Sequence, residues 1–348
     1  MSFNVIEEKS RFDYLDLAKG FLIISVVLSH APFDNAMYIY WFHMPAFFII
    51  SGLLAKEKIN IKDQAIKFFV PYLAFSIVDL LMSYAGSYDS LSLQGFVDDL
   101  SKYIYGGKNV GGVFWFIPCL FLTKIIFNKL RKYLSTKQLI GSIIILYILA
   151  HLYTRFIMTY DIGDIPNYLK FPWDIDVLFI TIPYYAIGYG FKNITNFITN
   201  KYTFIVTAIL TFVIYAKDFM GHNYFYINLK FSQYKDPILD LVIPVTITIC
   251  ILSFCSLVSK FDILSPIRYL GKISLIVMYL HKPICSLVED YVPLNFVQFT
   301  VIGVLIPVLI YNLFISKFSI TEMIFAGKRL VKSKNNVVDK SIVLNAYK

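Results

Sequence analysis

Apolar residues gather in ten long blocks along the chain, near 17–34, 38–55, 66–86, 113–128, 138–156, 176–191, 202–217, 238–258, 272–288 and 297–316. Each approaches the roughly 20 residues that cross about 30 Å of hydrocarbon as a helix. Blocks 113–128 and 176–191 are short and carry Pro118 and Pro183. Proline is tolerated in such helices where neighbours satisfy the freed backbone groups. No internal repeat, soluble domain or long linker interrupts the series. The pattern therefore predicts an all-α integral membrane protein with about ten transmembrane helices. Residues 1–16 form a cytoplasmic N-terminal segment, 17–316 the membrane domain, and 317–348 a cytoplasmic basic tail.

Composition agrees. Hydrophobic residues make up 57% of the 348 and charged residues 16%, against roughly 25% charged in soluble domains. Lipid has to cover part of that apolar surface. Met1–Asp16 carries Glu7, Glu8, Lys9, Arg11 and Asp13, and no small-residue cleavage site follows the first block, so that block is expected to stay as a span. Charge then sets the orientation. With a cytoplasmic N-terminus, the inner side holds 24 Lys+Arg and 9 Asp+Glu, and the outer side 8 and 14. The nets of +15 and −6 together make the formal +9. The clusters Lys56/Lys58/Lys62/Lys67, Lys129/Arg131/Lys132/Lys137 and Lys328/Arg329/Lys332/Lys334 all fall inside, the positive-inside pattern. The basic balance reads as topology, not as nucleic-acid binding.

Ionisable groups within spans are expensive and mark candidate chemistry. Lys19 and His30 bracket the first block, eleven residues apart. That is roughly 16–17 Å of helix, with both side chains on nearly one face. Taken singly, Lys19 also fits a snorkelling anchor, and His30 a hydrogen-bonded helix end. His43 opens the second block, with Ser51 and Gly52 deeper in it, a hydroxyl and a close-contact residue. His281 and Lys282 lie near the outer end of the ninth. His30, His43 and His281 share one depth in the outer half, so they are expected to line one polar cavity. There imidazole can serve as base, acid or acyl relay. His151 and His222 have no sequence neighbours that suggest chemistry. Cys119, Cys250, Cys255 and Cys285 lie in apolar stretches without zinc spacing and read as small core residues, so no metal is expected. Asp98, Asp99, Asp161, Asp164, Asp174 and Asp176 fall outside, as solvated faces or as partners of sugar hydroxyls.

Five segments resemble a known family. They are the basic–ten residues–His pattern from Lys19 to His30 with Asp16 ahead of it, FHMPAFFIISG (Phe42–Gly52), FWFIPCLF (Phe114–Phe121), PYYAIGY (Pro183–Tyr189) and YLGKISLIVMYLH (Tyr269–His281). In that order they resemble the acyltransferase-3 family of bacterial membrane acyltransferases, most closely the fucose 4-O-acetylase-like branch. Two departures stand out. Lys19 takes the place of an Arg common in relatives, which keeps charge but loses the bidentate fork for phosphate. Gln64 and Lys67 stand where relatives often carry two Arg. The sequence runs to Lys348 without the hydrolase-like domain that some relatives append, so one site is expected to complete the transfer within the membrane domain.

The resemblance implies transfer of an acyl group, usually acetyl, from cytoplasmic acetyl-CoA to a hydroxyl of a cell-surface polysaccharide or its lipid-linked precursor, in the bacterial cytoplasmic (inner) membrane. Acetyl-CoA is the donor, with the extracytoplasmic glycan and membrane lipid as the other partners. Lys19 and Lys67, with Asp16 orienting them, are expected to hold the coenzyme A phosphates. His30 is then base or acyl carrier, Ser51 a donor to the thioester carbonyl, and His43 and His281 orienting groups. Three alternatives remain at this point: a glycan exporter or flippase, a succinyltransferase on the same scaffold, and a structural partner in an export complex. A dicarboxylic donor needs an extra cation near His30, for which Lys282 is the one candidate.

Overall fold

The computed structural model of the chain describes residues 2–85, 92–222 and 224–328. It is helical at every one of the ten blocks. The helices in order are α1 (Ser2–His30), α2 (Met37–Tyr40), α3 (His43–Leu53), α4 (Ile61–Ala85), α5 (Leu93–Tyr105), α6 (Phe116–Tyr133), α7 (Thr136–Phe156), α8 (Leu178–Phe191), α9 (Thr195–Ile198), α10 (Lys201–Lys217), α11 (Leu239–Val258), α12 (Ser265–Lys272), α13 (Ser274–Glu289), α14 (Phe296–Leu313) and α15 (Ser319–Ala326). A two-residue hairpin, β1 (Ile227–Asn228) with β2 (Gln233–Tyr234), is the single sheet among the described residues. The C-terminal residues 329–348 of the expected basic tail, with Arg329, Lys332 and Lys334, lie outside the described residues.

Five helices are long and apolar enough to cross a bilayer, in the ranges Ile61–Tyr84, Thr136–Phe156, Lys201–Gly221, Leu239–Val258 and Phe296–Lys317. The pair α12–α13, bent by 76° at its break, makes a sixth if counted as one span. Of the others, α3 and α8 are shorter than the block pattern suggests. α3 has 11 residues and so covers only about 16 Å. α8 has 14 residues and follows a 3-10 turn at Pro172–Val177. Non-helical backbone at such depths is tolerated where protein buries it.

Local sequence explains several boundaries. Ser135 and Gln138 cap each other's backbone at the start of α7, and Asn295 and Gln298 do so at α14. Along α10 and α7, exposed Ile205, Ile209, Phe212, Ile144 and Ile148 form faces that only lipid can cover.

In lipid, helices gain little from hiding apolar surface from each other, so close backbone approach carries the packing. Two crossings depend on glycine. At the α3/α8 crossing, a Cβ on Gly52 would stand 1.9 Å from the Tyr185 carbonyl oxygen, and one on Gly188 1.8 Å from that of Ile49. At the α1/α12 crossing, a Cβ on Gly20 would stand 2.0 Å from the Ile267 carbonyl oxygen, and one on Gly271 1.8 Å from that of Asp16. Thr123 and Thr181 hydroxyls, 2.8 Å apart, add a hydrogen bond between α6 and α8. Gly188→Val is expected to destabilise the fold by at least about 1–3 kcal/mol through overpacking. The melting temperature in detergent should fall accordingly, while Gly190→Ala, at a position with open space around it, leaves it unchanged.

Candidate active site

α1 runs without a break from Lys19 to His30, so the helix itself sets the separation of the two groups. His30 ends α1 at a cavity of about 290 Å³. Its wall includes His43 and Met44 of α3, Tyr40 of α2, Trp115 and Phe116 at the start of α6, Asn228 and Lys230 of the hairpin, and Lys282 of α13. The His281 ring lies against His30, with centroids 5.3 Å apart. The three histidines thus meet as the sequence suggests, with His30 and His43 in the wall and His281 fully buried behind His30.

Backbone carbonyls set the tautomers of two rings. His43 Nδ1 lies 2.7 Å from the Ile39 carbonyl oxygen and His281 Nδ1 3.0 Å from that of Val277. A carbonyl only accepts, so each Nδ1 carries the proton and each Nε2 is left with a lone pair. His281 Nε2 is buried without a hydrogen-bond partner. His281, Lys282, His43 and Lys230 all act electrostatically on His30, which makes this a concentrated basic site.

Ser51 is not brought into this group. It stands eight residues beyond His43 on α3, roughly 12 Å along the axis, and is absent from the cavity wall. At the far end of α1, Lys19 pairs with Asp16 at 2.7 Å. Lys67 of α4 is exposed and lies within electrostatic range of Lys19 and Lys56. Lys124 of α6 lies within range of Lys67 and Lys56, and donates to the Gln64 side chain at 3.1 Å. Lys19 and Lys67, expected from sequence to act together, lie within electrostatic range of each other. Sequence reasoning passed over Lys124, whose position inside an apolar block was the available signal.

The outer segments depart most from expectation. Asp98, Asp161 and Asp164 are exposed, as expected. Asp174 and Asp176 are buried instead, and hold Lys108 at 3.3 and 2.6 Å. Ser232 donates to Asp176 at 2.8 Å, and Lys230 donates to the Val110 carbonyl at 2.5 Å. Trp173 and Asp174 adopt φ of 55° and 52°, a left-handed turn secured by the Trp173 indole donating to the Ile104 carbonyl at 2.9 Å. Burial raises the pKa of the Asp174 carboxyl, and Lys108 opposes that rise. These contacts knit the Gly106–Val113 loop, the 172–177 turn and the hairpin into one layer beside the cavity. His151 also gains a partner that its sequence context hides, since its Nε2 lies 3.1 Å from the Asp240 carboxylate. The four described cysteines are unpaired.

The protein is a helical membrane protein with a histidine-walled cavity at one end of a helix and a lysine cluster at the other. Residues 12–316 match the family model described as an acyltransferase domain. The protein belongs to the acyltransferase-3 family of membrane acyltransferases. Neither the comparison with curated proteins nor that with solved structures returned a match.

The layer yields a stability prediction. Lys108→Met leaves two buried carboxylates without their cation, a loss of about 3–5 kcal/mol. The triple change Lys108→Met, Asp174→Asn, Asp176→Asn should recover most of it, as read by thermal melting of the purified protein.

Proposed function

We propose that the protein is an O-acetyltransferase of the fucose 4-O-acetylase-like branch. It takes acetyl-CoA from the cytoplasm and acetylates a hydroxyl of a cell-surface polysaccharide or its lipid-linked precursor. It works in the cytoplasmic membrane of a bacterium, with ten spans, both ends cytoplasmic, and the domain limits read from the sequence. The observation that carries this reading is the placement of His30 in the cavity, one unbroken stretch of α1 away from the Lys19 cluster.

In this reading the coenzyme A phosphates sit at Lys19, Lys56, Lys67 and Lys124, with Asp16 holding Lys19 in place. The pantetheine arm runs beside α1 to the cavity, passing the depth of Ser51. A ring nitrogen of His30 takes the proton from the acceptor hydroxyl as its oxygen attacks the thioester carbonyl carbon. The tetrahedral oxyanion collapses, the C–S bond breaks, and the imidazolium returns its proton to the departing thiolate sulfur. The His281 ring, packed against His30 with centroids 5.3 Å apart, orients it, and His43 Nε2 accepts from a second sugar hydroxyl. Binding of both substrates in one geometry supplies the proximity term.

A succinyl donor is the second reading. Lys230 joins Lys282 in the cavity wall, a second cation that the sequence did not place near His30.

His30→Ala should lower acetyl transfer by about 10²–10⁴-fold with normal membrane insertion. The readout is the O-acetyl signal of purified surface polysaccharide by proton NMR, in strains with the gene intact, deleted or substituted. Full acetylation in a normally inserted His30→Ala strain would end this mechanism. Surface polymer that disappears while its residues keep their acetyl groups would point to export. Lys67→Met should raise the KM for acetyl-CoA roughly tenfold, the size of one lost charge-assisted contact, with little change in kcat, and Lys67→Arg should restore it.

A further inference from the structure

The cavity wall carries charge of one sign. Lys230 and Lys282 both line it beside His30 and His43, and among the described residues no Asp or Glu does. The nearest carboxylates are engaged elsewhere. Asp174 lies within hydrogen-bond distance of Lys108, and Asp79 accepts from the Tyr103 hydroxyl, although each also acts electrostatically, on Lys230 and Lys282 respectively. Lys282 makes no ion pair within 4 Å among the described residues. Its stem passes Gly112, where a Cβ would stand 3.3 Å from Lys282 Cδ, so the ammonium is carried at the loop that borders the cavity. Lys230 spends one donor on Val110, and an ammonium has three.

Lys230 is buried beside an apolar wall of Phe47, Trp115 and Phe116, and a buried ammonium is costly without a counter-charge. Neither Lys230 nor Lys282 belongs to the donor side. Lys19 and its cluster lie at the opposite end of α1. Lys230 sits on the hairpin between α10 and α11, and Lys282 one residue beyond His281. A substrate that reaches His30 from the hairpin side passes both. Asn228 offers an amide to hydroxyls there, and the aromatic wall offers faces for a sugar ring.

We propose that the acceptor is an anionic glycan, whose carboxylate or phosphodiester sits between Lys230 and Lys282 while a neighbouring hydroxyl faces His30. This rests on the acetyltransferase reading above. The anion fixes the sugar, and the choice of hydroxyl follows from its distance to that anion. Lys282 is exposed, so replacing it leaves the packing intact.

The test begins with surface polysaccharide from the intact and deletion strains, compared by proton, carbon and phosphorus NMR. An O-acyl signal unchanged by deletion removes the transferase reading itself, and this inference with it. If a signal is lost, the expected carrier is a residue that bears a carboxylate or adjoins a phosphodiester, and phosphorus NMR separates the two. The native polysaccharide, stripped of its O-acyl groups by mild base, then serves as acceptor for the purified full-length protein, with thiol release from acetyl-CoA as readout. Carboxyl reduction, or phosphodiester cleavage with hydrogen fluoride, should lower the rate about tenfold or more, as should Lys282→Met, with Lys282→Arg recovering most of it. An acyl group found on a polymer without either anion would overturn the inference. So would equal rates with the neutralised polymer, or a transferred acyl group that is itself dicarboxylic, since the lysines would then be reading the donor.

Discussion

The Asp16 carbonyl lies 1.8 Å from where a Cβ on Gly271 would stand, and the Ile267 carbonyl 2.0 Å from one on Gly20. Only backbones that touch permit such distances, and no larger residue fits at either position. α12 is thereby pinned to α1 at Asp16 and Gly20. α13 continues from it after a bend of 76° and brings His281 to within 5.3 Å of His30, ring centre to ring centre, at the end of α1. One helix and one broken helix run side by side, joined at both ends. That pairing sets where the imidazoles stand relative to the lysine cluster. The α3/α8 crossing through Gly52 and Gly188 does the same for His43. The motifs that look separate along the chain are thus two contact pairs. The Phe114–Phe121 segment adds Phe116 against Phe47 and Phe48, with ring centroids 5.8 and 5.3 Å apart.

The outer layer solves a different problem. Loops at the edge of the hydrocarbon cannot rely on apolar burial for their shape, and a cavity with charged walls needs walls that stay put. Lys108 answers this with two buried carboxylates, Asp174 and Asp176, reached across more than sixty residues of sequence. Such a cluster adds little net stability over an apolar core but is costly to break, which suits a part whose value lies in position. Ser232 and Lys230 attach the hairpin to the same cluster and the same loop. Lys230, one of the two lysines in the cavity wall, is therefore held by the network that shapes the cavity.

The two ends of α1 divide the electrostatic labour. The end at Lys19 gathers Lys56, Lys67 and Lys124 within electrostatic range of one another, with Lys19 paired to Asp16. The end at His30 gathers histidines, and carbonyls one turn earlier in the chain, Ile39 for His43 and Val277 for His281, aim the lone pairs of two of them. Lys19 and His30 stand eleven residues apart on this one unbroken helix. Helical rise keeps them about 16–17 Å apart at no further structural cost.

Much of this was legible in the sequence. The hydropathy blocks predicted a helix in each of ten places, because burial in lipid acts on every apolar residue alike and needs no knowledge of partners. The Lys19–His30 spacing was readable because α-helical rise is constant, and the grouping of His30, His43 and His281 followed from equal depth. Tertiary structure alone decided the rest. Gly52, Gly188, Gly20 and Gly271 are just small residues until a partner backbone arrives. Lys124 is one more basic residue until α6 sets it beside Lys67. Asp174 and Asp176 belong to an acidic outer segment until Lys108 meets them from another loop, and His151 stands alone until α11 brings Asp240. Hydropathy and helix period are local quantities carried by each residue, whereas charge pairing and close approach are properties of two distant segments and exist only once both are in place.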